Sequence, residues 1–115
     1  MTNVKGSFEF TRKERITHPQ EFKDVMKFGK RIPSKNLILF MKGNKNPFHR
    51  LGIVVSREVG KSTYRNRIKR LLREFFRLHK SHIIRAADMV VLAKRGCVLR
   101  RYGEVEEELG RLLCK

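Results

Sequence analysis

The feature that most constrains the fold is a long amphipathic stretch in the middle of the chain, TYRNRIKRLLREFFR at residues 63–77. At about 100° per residue, this stretch and its continuation to residue 80 gather apolar side chains on one face of a helix. A helix with such a face must bury it, so the pattern predicts a helix over 63–80 packed on a sheet. The apolar face comprises Tyr64, Ile68, Leu71, Leu72, Phe75 and His79, with Phe76 and Leu78 at its margins.

The other side of this helix is almost purely cationic. The stretch holds six arginines and lysines and a single acid. Like charges four residues apart, as in Arg65–Lys69 and Lys69–Arg73, cost a few tenths of a kcal/mol per pair. A face that only had to be solvated would not need to exclude acids, so this composition indicates binding to a polyanion. Arginine also donates two parallel hydrogen bonds to one phosphate, which lysine does not.

The turn before the helix adds backbone donors to the cationic side. In GKST, residues 60–63, the first N–H groups of the helix and the positive end of its dipole would attract a phosphate. The GKS triplet lacks the earlier glycine of a Walker A loop and is weak evidence for a nucleotide site. We therefore expect Lys61 to belong to the polyanion-binding surface.

The charge of the whole chain indicates the same class of partner. Its 115 residues carry 28 Lys and Arg against 11 Asp and Glu, a formal net charge of +17. Self-repulsion of this size is offset most simply by a bound polyanion. No apolar run approaches the ~18 residues of a membrane-spanning helix, and no signal peptide is visible. With only two cysteines, we expect a reduced, cytoplasmic chain with no membrane partner, monomeric when free.

The remaining patterns predict a single α+β domain over residues 1–115, in which residues 1–17 form a flexible basic N-terminal arm. Helices are expected at 18–30, 63–80 and 100–115, and strands at 36–42, 50–57 and 87–94. The turn residues GNKNP favour an antiparallel hairpin over 36–57. The order α-β-β-α-β-α is typical of a two-layer α/β sandwich.

The central helix and its flanking segments resemble the protein subunit of bacterial ribonuclease P. The hallmark of that family is a helix with the pattern R-N-R-x-K-R-x-x-R, which YRNRIKRLLREFFR matches. LGIVVSREVGKSTYRNR is similar to the family's strand and loop before this helix, and DMVVLAKRG to the strand after it. EFKDVMKFGKRIPSKNLILF is similar to the first helix and first long strand. The resemblance covers about residues 10–113.

The resemblance implies a small basic protein that is not catalytic alone. It would join a large catalytic RNA in an endoribonuclease that removes the 5′ leader of precursor tRNA. The RNA would hold most of the active-site Mg²⁺, so we expect no catalytic residue, metal site or cofactor on the protein itself. The resemblance also implies a left-handed βαβ crossover, whereas chirality rules alone favour a right-handed one.

Two RNA-binding sites follow from the resemblance. The central helix would contact the catalytic RNA through Lys61, Arg65, Asn66, Arg67, Lys69, Arg70, Arg73 and Arg77. A cleft between the first helix and the sheet would bind the single-stranded leader through Phe22, Met26, Phe40, Ser56 and Arg57. Aromatic side chains in a basic groove stack on bases, and strand alternation places Phe40 on the face opposite Leu39. Simple core packing of the three apolar side chains is the alternative, and at Met26 relatives often carry an aromatic.

Two other classes of protein share some of these features. A structural ribosomal or general RNA-binding protein would have the same charge and partner but no effect on tRNA processing. A DNA-binding regulator is disfavoured because helix-turn-helix proteins join two helices by a short turn, whereas here a strand and a loop precede the basic helix. His79 and His82 lack the further ligands of a zinc site, and no Ser-His-Asp or Cys-His arrangement favours independent nuclease chemistry.

Overall fold

A four-stranded sheet and three α-helices make up the part of the chain that the computed structural model describes, residues 11–45, 48–82 (His82 as backbone only) and 86–113. The strands are β1 (Lys30–Pro33), β2 (Leu37–Gly43), β3 (Arg50–Val54) and β4 (Ala87–Ala93). The helices are α1 (Pro19–Phe28), α2 (Ser62–His79) and α3 (Tyr102–Leu113). Short 3-10 turns span Arg12–Glu14, Arg57–Val59 and Lys80–His82. The expected α+β class is confirmed, and β1 is a strand that the sequence patterns did not predict.

The strand order is β1-β2-β4-β3, with β4 inserted between β2 and β3. β2 pairs antiparallel with β1 and β4, and β3 pairs parallel with β4. The expected hairpin over 36–57 is therefore wrong. β4 is buried at six of its seven positions, and a strand that is apolar on both faces is stabilised by a central place in the sheet. β3, α2 and β4 form a parallel βαβ unit, whose hand stays a prediction.

The two faces of the sheet pack against different helices. Leu37 and Leu39 of β2 belong to the larger core, which α2 and α3 cover. Phe40 of β2 and Val90 of β4 belong to a smaller core on the other face, where Val25 of α1 packs on them. Each fully buried leucine or valine contributes roughly 1.5–3 kcal/mol, so the larger core dominates the stability.

The segment before α1 packs on the domain over residues 11–16. The Ile16 side chain is buried, and its N–H donates to the Leu51 carbonyl oxygen at 2.9 Å. The buried Glu14 carboxylate accepts two hydrogen bonds from Lys80 Nζ, at 2.7 and 2.8 Å. The predicted flexible arm over 1–17 is therefore wrong for residues 11–16, since Glu14 pairs with a lysine 66 positions away. Residues 1–10 of that prediction lie outside the described ranges.

A close approach between α1 and β2 fixes the position of the first helix. Pro19 occupies the first helical position, and Gly29 is the C-cap. A Cβ atom at Gly29 would lie 2.4 Å from the Val25 carbonyl oxygen and 2.8 Å from that of Met41. Any larger residue would push α1 away from β2, so Gly29 sets how closely the helix lies over the smaller core.

Candidate nucleic-acid interface

The side of α2 that faces away from the sheet is cationic. Ile68 and Leu72 are buried in the core, whereas Arg67, Arg70 and Arg73 are exposed. The predicted face is thus assembled as expected, with one difference: Phe76, placed at its apolar margin, is a core residue. A shallow depression on the exposed side is lined by Asn66, Lys69, Arg70, Arg73, Glu74 and Arg77.

The one acid in this depression is already paired. Glu74 accepts hydrogen bonds from Arg77 at 2.7 and 3.1 Å. These bonds hold the pKa of the Glu74 carboxyl below its usual range, so it is ionised at neutral pH. Within the described residues, Lys69, Arg70 and Arg73 have no carboxylate within ion-pair distance. These three cations are therefore available to an external anion.

Two arginines near the start of α2 are oriented by backbone carbonyl groups. Arg65 Nε donates to the Gly60 carbonyl oxygen at 3.1 Å, and Arg67 Nε donates to that of Arg100 at 3.0 Å. Each guanidinium keeps its two terminal nitrogens for further hydrogen bonds. A side chain that is already held loses less conformational entropy when it binds a phosphate.

The turn into α2 leaves the first N–H groups of the helix without a side-chain cap. Lys61 is the N-cap residue, and its side chain makes no capping hydrogen bond. Gly60 precedes it with φ +157°, and a Cβ atom there would lie 2.9 Å from the Tyr64 ring. Glycine therefore lets the turn pack on Tyr64, and the helix start next to Lys61 and Ser62 suits an anion.

The predicted cleft lies on the opposite face of the sheet, beside α1. The Phe22 ring packs directly on β3, since a Cβ atom at Gly52 would lie 2.5 Å from Phe22 Cε1. Phe22 and Met26 are partly exposed, but Phe40 is only 6% exposed. Phe40 lies on the face opposite Leu39, as strand alternation predicted, but α1 covers it, so the alternative of core packing holds for this residue. Phe40 belongs to the smaller core, on which Phe22 and Met26 pack.

Three further apolar side chains extend this surface along the sheet. Ile38, Leu92 and Val54 are partly buried and lie in one row across β2, β4 and β3. Sequence reasoning missed the row because it depends on β4 lying between the other two strands. The signal was present in the alternation of β4, where Leu92 is two positions from the buried Val90.

Ser56 and Arg57 connect the cleft to the start of α2. Both are exposed and follow the buried Val55, the first residue after β3, while the buried Val59 anchors the turn between them and α2. Only this short turn separates the apolar row at Val54 from the cationic helix. The carboxyl ends of the parallel strands β3 and β4 lie at the same edge of the sheet, so the two predicted sites meet there.

A paired arginine marks the opposite edge of the sheet. Arg50 donates to Asp88 at 2.7 and 2.9 Å and to Glu21 of α1 at 2.9 Å. Asn44 Nδ2 also donates to Asp88, at 2.7 Å. Burial alone would raise the pKa of Asp88, but the hydrogen bonds from Arg50 and Asn44 outweigh it and lower that pKa. This network ties α1 to the sheet and leaves Arg50 bound to the protein's own acids.

Groups suited to catalysis or metal binding are sparse in the described parts of the chain. These parts contain no group of three or more His, Cys, Asp or Glu side chains able to hold a metal ion. Burial raises the pKa of the Cys97 thiol to about 11, so this cysteine is protonated and unreactive at neutral pH. No described helix has both the length and the apolar composition needed to cross a membrane.

Comparisons with known proteins agree on one family. The family model described as Ribonuclease P matches residues 10–115. The chain is 38% identical to the ribonuclease P protein component of Desulfosudis oleivorans, over 95% of this chain and 90% of the relative. It is 39% identical to that of Syntrophus aciditrophicus, over 89% of this chain and 86% of the relative.

Solved structures agree as well. The RNase P protein of Staphylococcus aureus superposes with a TM-score of 0.79 at 33% identity, covering 88% of this chain and 93% of its own. That of Thermotoga maritima gives 0.75 at 34% identity, covering 87% and 94%.

Proposed function

Because the chain belongs to the ribonuclease P protein family, we propose that it is the protein subunit of a ribonucleoprotein that removes the 5′ leader from precursor tRNA. In this proposal α2 binds the catalytic RNA, and the cleft beside α1 binds the leader. The complex acts in the cytoplasm, where its RNA partners are made and used.

The observation that carries this proposal is the cationic side of α2. Lys69, Arg70 and Arg73 carry charge that no described carboxylate pairs, while Arg65 and Arg67 are held with terminal nitrogens to spare. Exposed cations on one helical face repel one another, so the arrangement is costly without an anion. The phosphate backbone of a folded RNA supplies closely spaced anions, and each contact releases condensed counterions.

The leader-binding part of the proposal rests on the cleft. Phe22 and Met26 offer partly exposed apolar surface, and the row formed by Ile38, Leu92 and Val54 continues it. Stacking on an aromatic side chain contributes about 1–3 kcal/mol per base and tolerates any sequence. The exposed Ser56 and Arg57 at the end of β3 are suited to bind leader phosphates next to those bases.

Chemistry in this proposal belongs to the RNA. Hydrolysis of a phosphodiester needs metal ions to stabilise the attacking and leaving oxygens, and the RNA would hold most of the Mg²⁺. The protein contributes positive charge and a leader-binding surface. It thereby lowers the Mg²⁺ concentration at which precursor and catalytic RNA associate.

The test is cleavage of a 5′-leader precursor tRNA by a bacterial ribonuclease P RNA at low, near-physiological Mg²⁺. Three reactions are compared: RNA with protein, RNA alone and protein alone. We expect cleavage only with both components. Tight RNA binding without any gain in cleavage would favour a ribosomal or general RNA-binding role, and cleavage by the protein alone would overturn the assignment of chemistry to the RNA.

A further inference from the structure

The connection between β4 and α3 forms a second basic segment beside α2. Its sequence, KRGCVLRR at residues 94–101, contains four cations and no acid. Cys97 and Leu99 are buried, whereas Arg100 and Arg101 are exposed. The segment therefore anchors itself with apolar side chains and presents its last two arginines to solvent.

The backbone of this segment is held at successive residues. The N–H of Val98 donates to Asn36 Oδ1 at 2.9 Å, and that of Leu99 donates to the Tyr64 hydroxyl oxygen at 3.1 Å. The Tyr64 hydroxyl donates in turn to the Cys97 carbonyl oxygen at 2.7 Å. Tyr64 belongs to the first turn of α2, so it fixes the segment against the start of that helix. A fixed backbone loses little conformational entropy on binding a partner.

Glu104 fixes the end of the segment through its backbone. One oxygen of its carboxylate accepts the N–H groups of Arg100 and Arg101, at 2.8 and 3.0 Å. These two hydrogen bonds lower the pKa of the Glu104 carboxyl, which also feels the charge of both arginines. Even so, among the described residues no carboxylate lies within ion-pair distance of either guanidinium group.

The segment is continuous with the cationic side of α2. Arg67 Nε donates to the Arg100 carbonyl oxygen at 3.0 Å, which places the backbone of the segment against one of the arginines of the helix. The bond orients Arg67 and also sets Arg100 and Arg101 next to it. One surface thus combines side chains from two elements that are about 30 residues apart in the chain.

We propose that Arg100 and Arg101 form a second contact with the phosphate backbone of the RNA that α2 binds. The contact rests on the proposed function, since the partner is the catalytic RNA and not the leader. Cations on two elements whose backbones are held together, α2 and the segment, would bind a folded RNA in a fixed orientation, which a single helix face does not ensure. Arginine suits this role because its fork matches two phosphate oxygens.

The experiment measures binding of catalytic RNA, without tRNA, to the full chain at several salt concentrations. The double variant Arg100→Gln/Arg101→Gln is expected to bind about tenfold more weakly and to shallow the log–log salt slope by ~1–2. The variant Arg100→Lys/Arg101→Lys keeps the charge and is expected to retain most of the slope. The matched control, Lys42→Gln/Lys45→Gln, removes the same charge from exposed positions at the far end of β2.

Comparison with Arg70→Gln/Arg73→Gln on α2 separates the possible outcomes. If this helix variant weakens binding while the segment variant matches the control, the second contact is refuted and the proposed function stands. If neither variant weakens binding, the proposed function fails as well. A loss that appears only with leader-bearing precursor would assign the segment to the leader and overturn the proposal. Equal melting temperatures of the segment variant and the unsubstituted chain exclude a folding defect.

Discussion

Arginines are ion-paired in one region of the molecule, where β3 and β4 begin, and unpaired in another, the outward side of α2 and the segment at residues 94–101. Where β3 and β4 begin, Arg50 is enclosed by Asp88 and Glu21 at 2.7–2.9 Å, and its side chain is 18% exposed. On the cationic surface, which comprises the outward side of α2 and the segment at residues 94–101, no carboxylate of the described residues lies within ion-pair distance of an exposed arginine, Arg77 excepted. The protein has only 11 acids, and their distribution distinguishes the two regions.

This difference predicts which cations stabilise the fold and which are available to bind a ligand. Removing one partner of a buried ion pair leaves an uncompensated charge and is strongly destabilising. Removing an exposed cation usually changes the free energy of unfolding by less than ~0.5 kcal/mol. Arg50 therefore stabilises the fold, whereas we expect the exposed arginines of α2 to act in binding. Mutations in the two regions should therefore change different measurements, namely stability in the first and binding in the second.

The largest expected effect is a loss of stability when the ion pair between Arg50 and Asp88 is broken. Asp88→Asn keeps the size of the side chain but removes the charge that faces Arg50, and should lower the free energy of unfolding by about 3 kcal/mol. Urea denaturation measures this change. The control, Asp24→Asn, alters a carboxylate on α1 that accepts a hydrogen bond from Gln20 near the surface. A loss no larger than that of the control would show that Glu21 alone is sufficient to pair with Arg50.

The pH dependence of stability tests the same ion pair between Asp88 and Arg50. The folded-state pKa of Asp88 is lowered, so its contribution is complete above the unfolded-state value of ~3.9 and is lost as pH falls through the folded-state value. We expect the difference in unfolding free energy between the unsubstituted chain and Asp88→Asn to shrink below about pH 4. A difference that stays constant down to pH 2 would assign the effect to packing instead of charge.

On the cationic surface we expect mutations to change RNA binding and not stability. Arg73→Gln should weaken binding of ribonuclease P RNA about tenfold and shallow the salt slope by ~1. It should leave the unfolding free energy unchanged or raise it slightly, since Arg73 has like charges four residues away at Lys69 and Arg77. Filter binding and urea denaturation test the two parts. If Arg73→Gln destabilised the protein as much as Asp88→Asn, the distinction between fold-stabilising and binding arginines would be wrong.

A smaller effect is expected in the cleft beside α1, on the other face of the sheet, where leader binding is tested. Phe22→Leu keeps an apolar side chain over Gly52 but removes the ring, and should weaken binding of leader-bearing precursor by about 1 kcal/mol without affecting mature tRNA. Phe28→Leu is the matched control, because Phe28 is on the same helix and 66% exposed but outside the smaller core and the residues packed on it. Equal losses for precursor and mature tRNA would indicate a folding effect.

Local patterns predicted the helices well, whereas contacts between distant segments escaped prediction. The expected helix at 63–80 is observed at Ser62–His79, because its period and its turn residues lie within the helix itself. The cationic residues of α2 were found for the same reason. The start of α1 at Pro19 likewise follows from a local signal.

The features that were not predicted from the sequence depend on how distant segments pack together. The insertion of β4 between β2 and β3 contradicts the hairpin that local turn residues favoured, and it also creates the row with Ile38 and Leu92. The burial of Phe40 depends on which helix covers that face. The pairing of Glu14 with Lys80 joins residues 66 positions apart, a distance over which no local pattern extends.

The smallest expected effect concerns the free protein. Millimolar sulfate should raise its melting temperature by about 2–4 °C over chloride at equal ionic strength, because anions bound to the native state offset the repulsion of its +17 charge. At such concentrations the general stabilisation of proteins by excluded sulfate is minor, though not zero. The variant Arg70→Gln/Arg73→Gln provides the control, since it keeps the general effect but lacks two cations of the α2 depression. A smaller rise in melting temperature in the variant would place the sulfate on α2. Equal rises would show that the cationic surface binds simple anions no better than the rest of the protein surface.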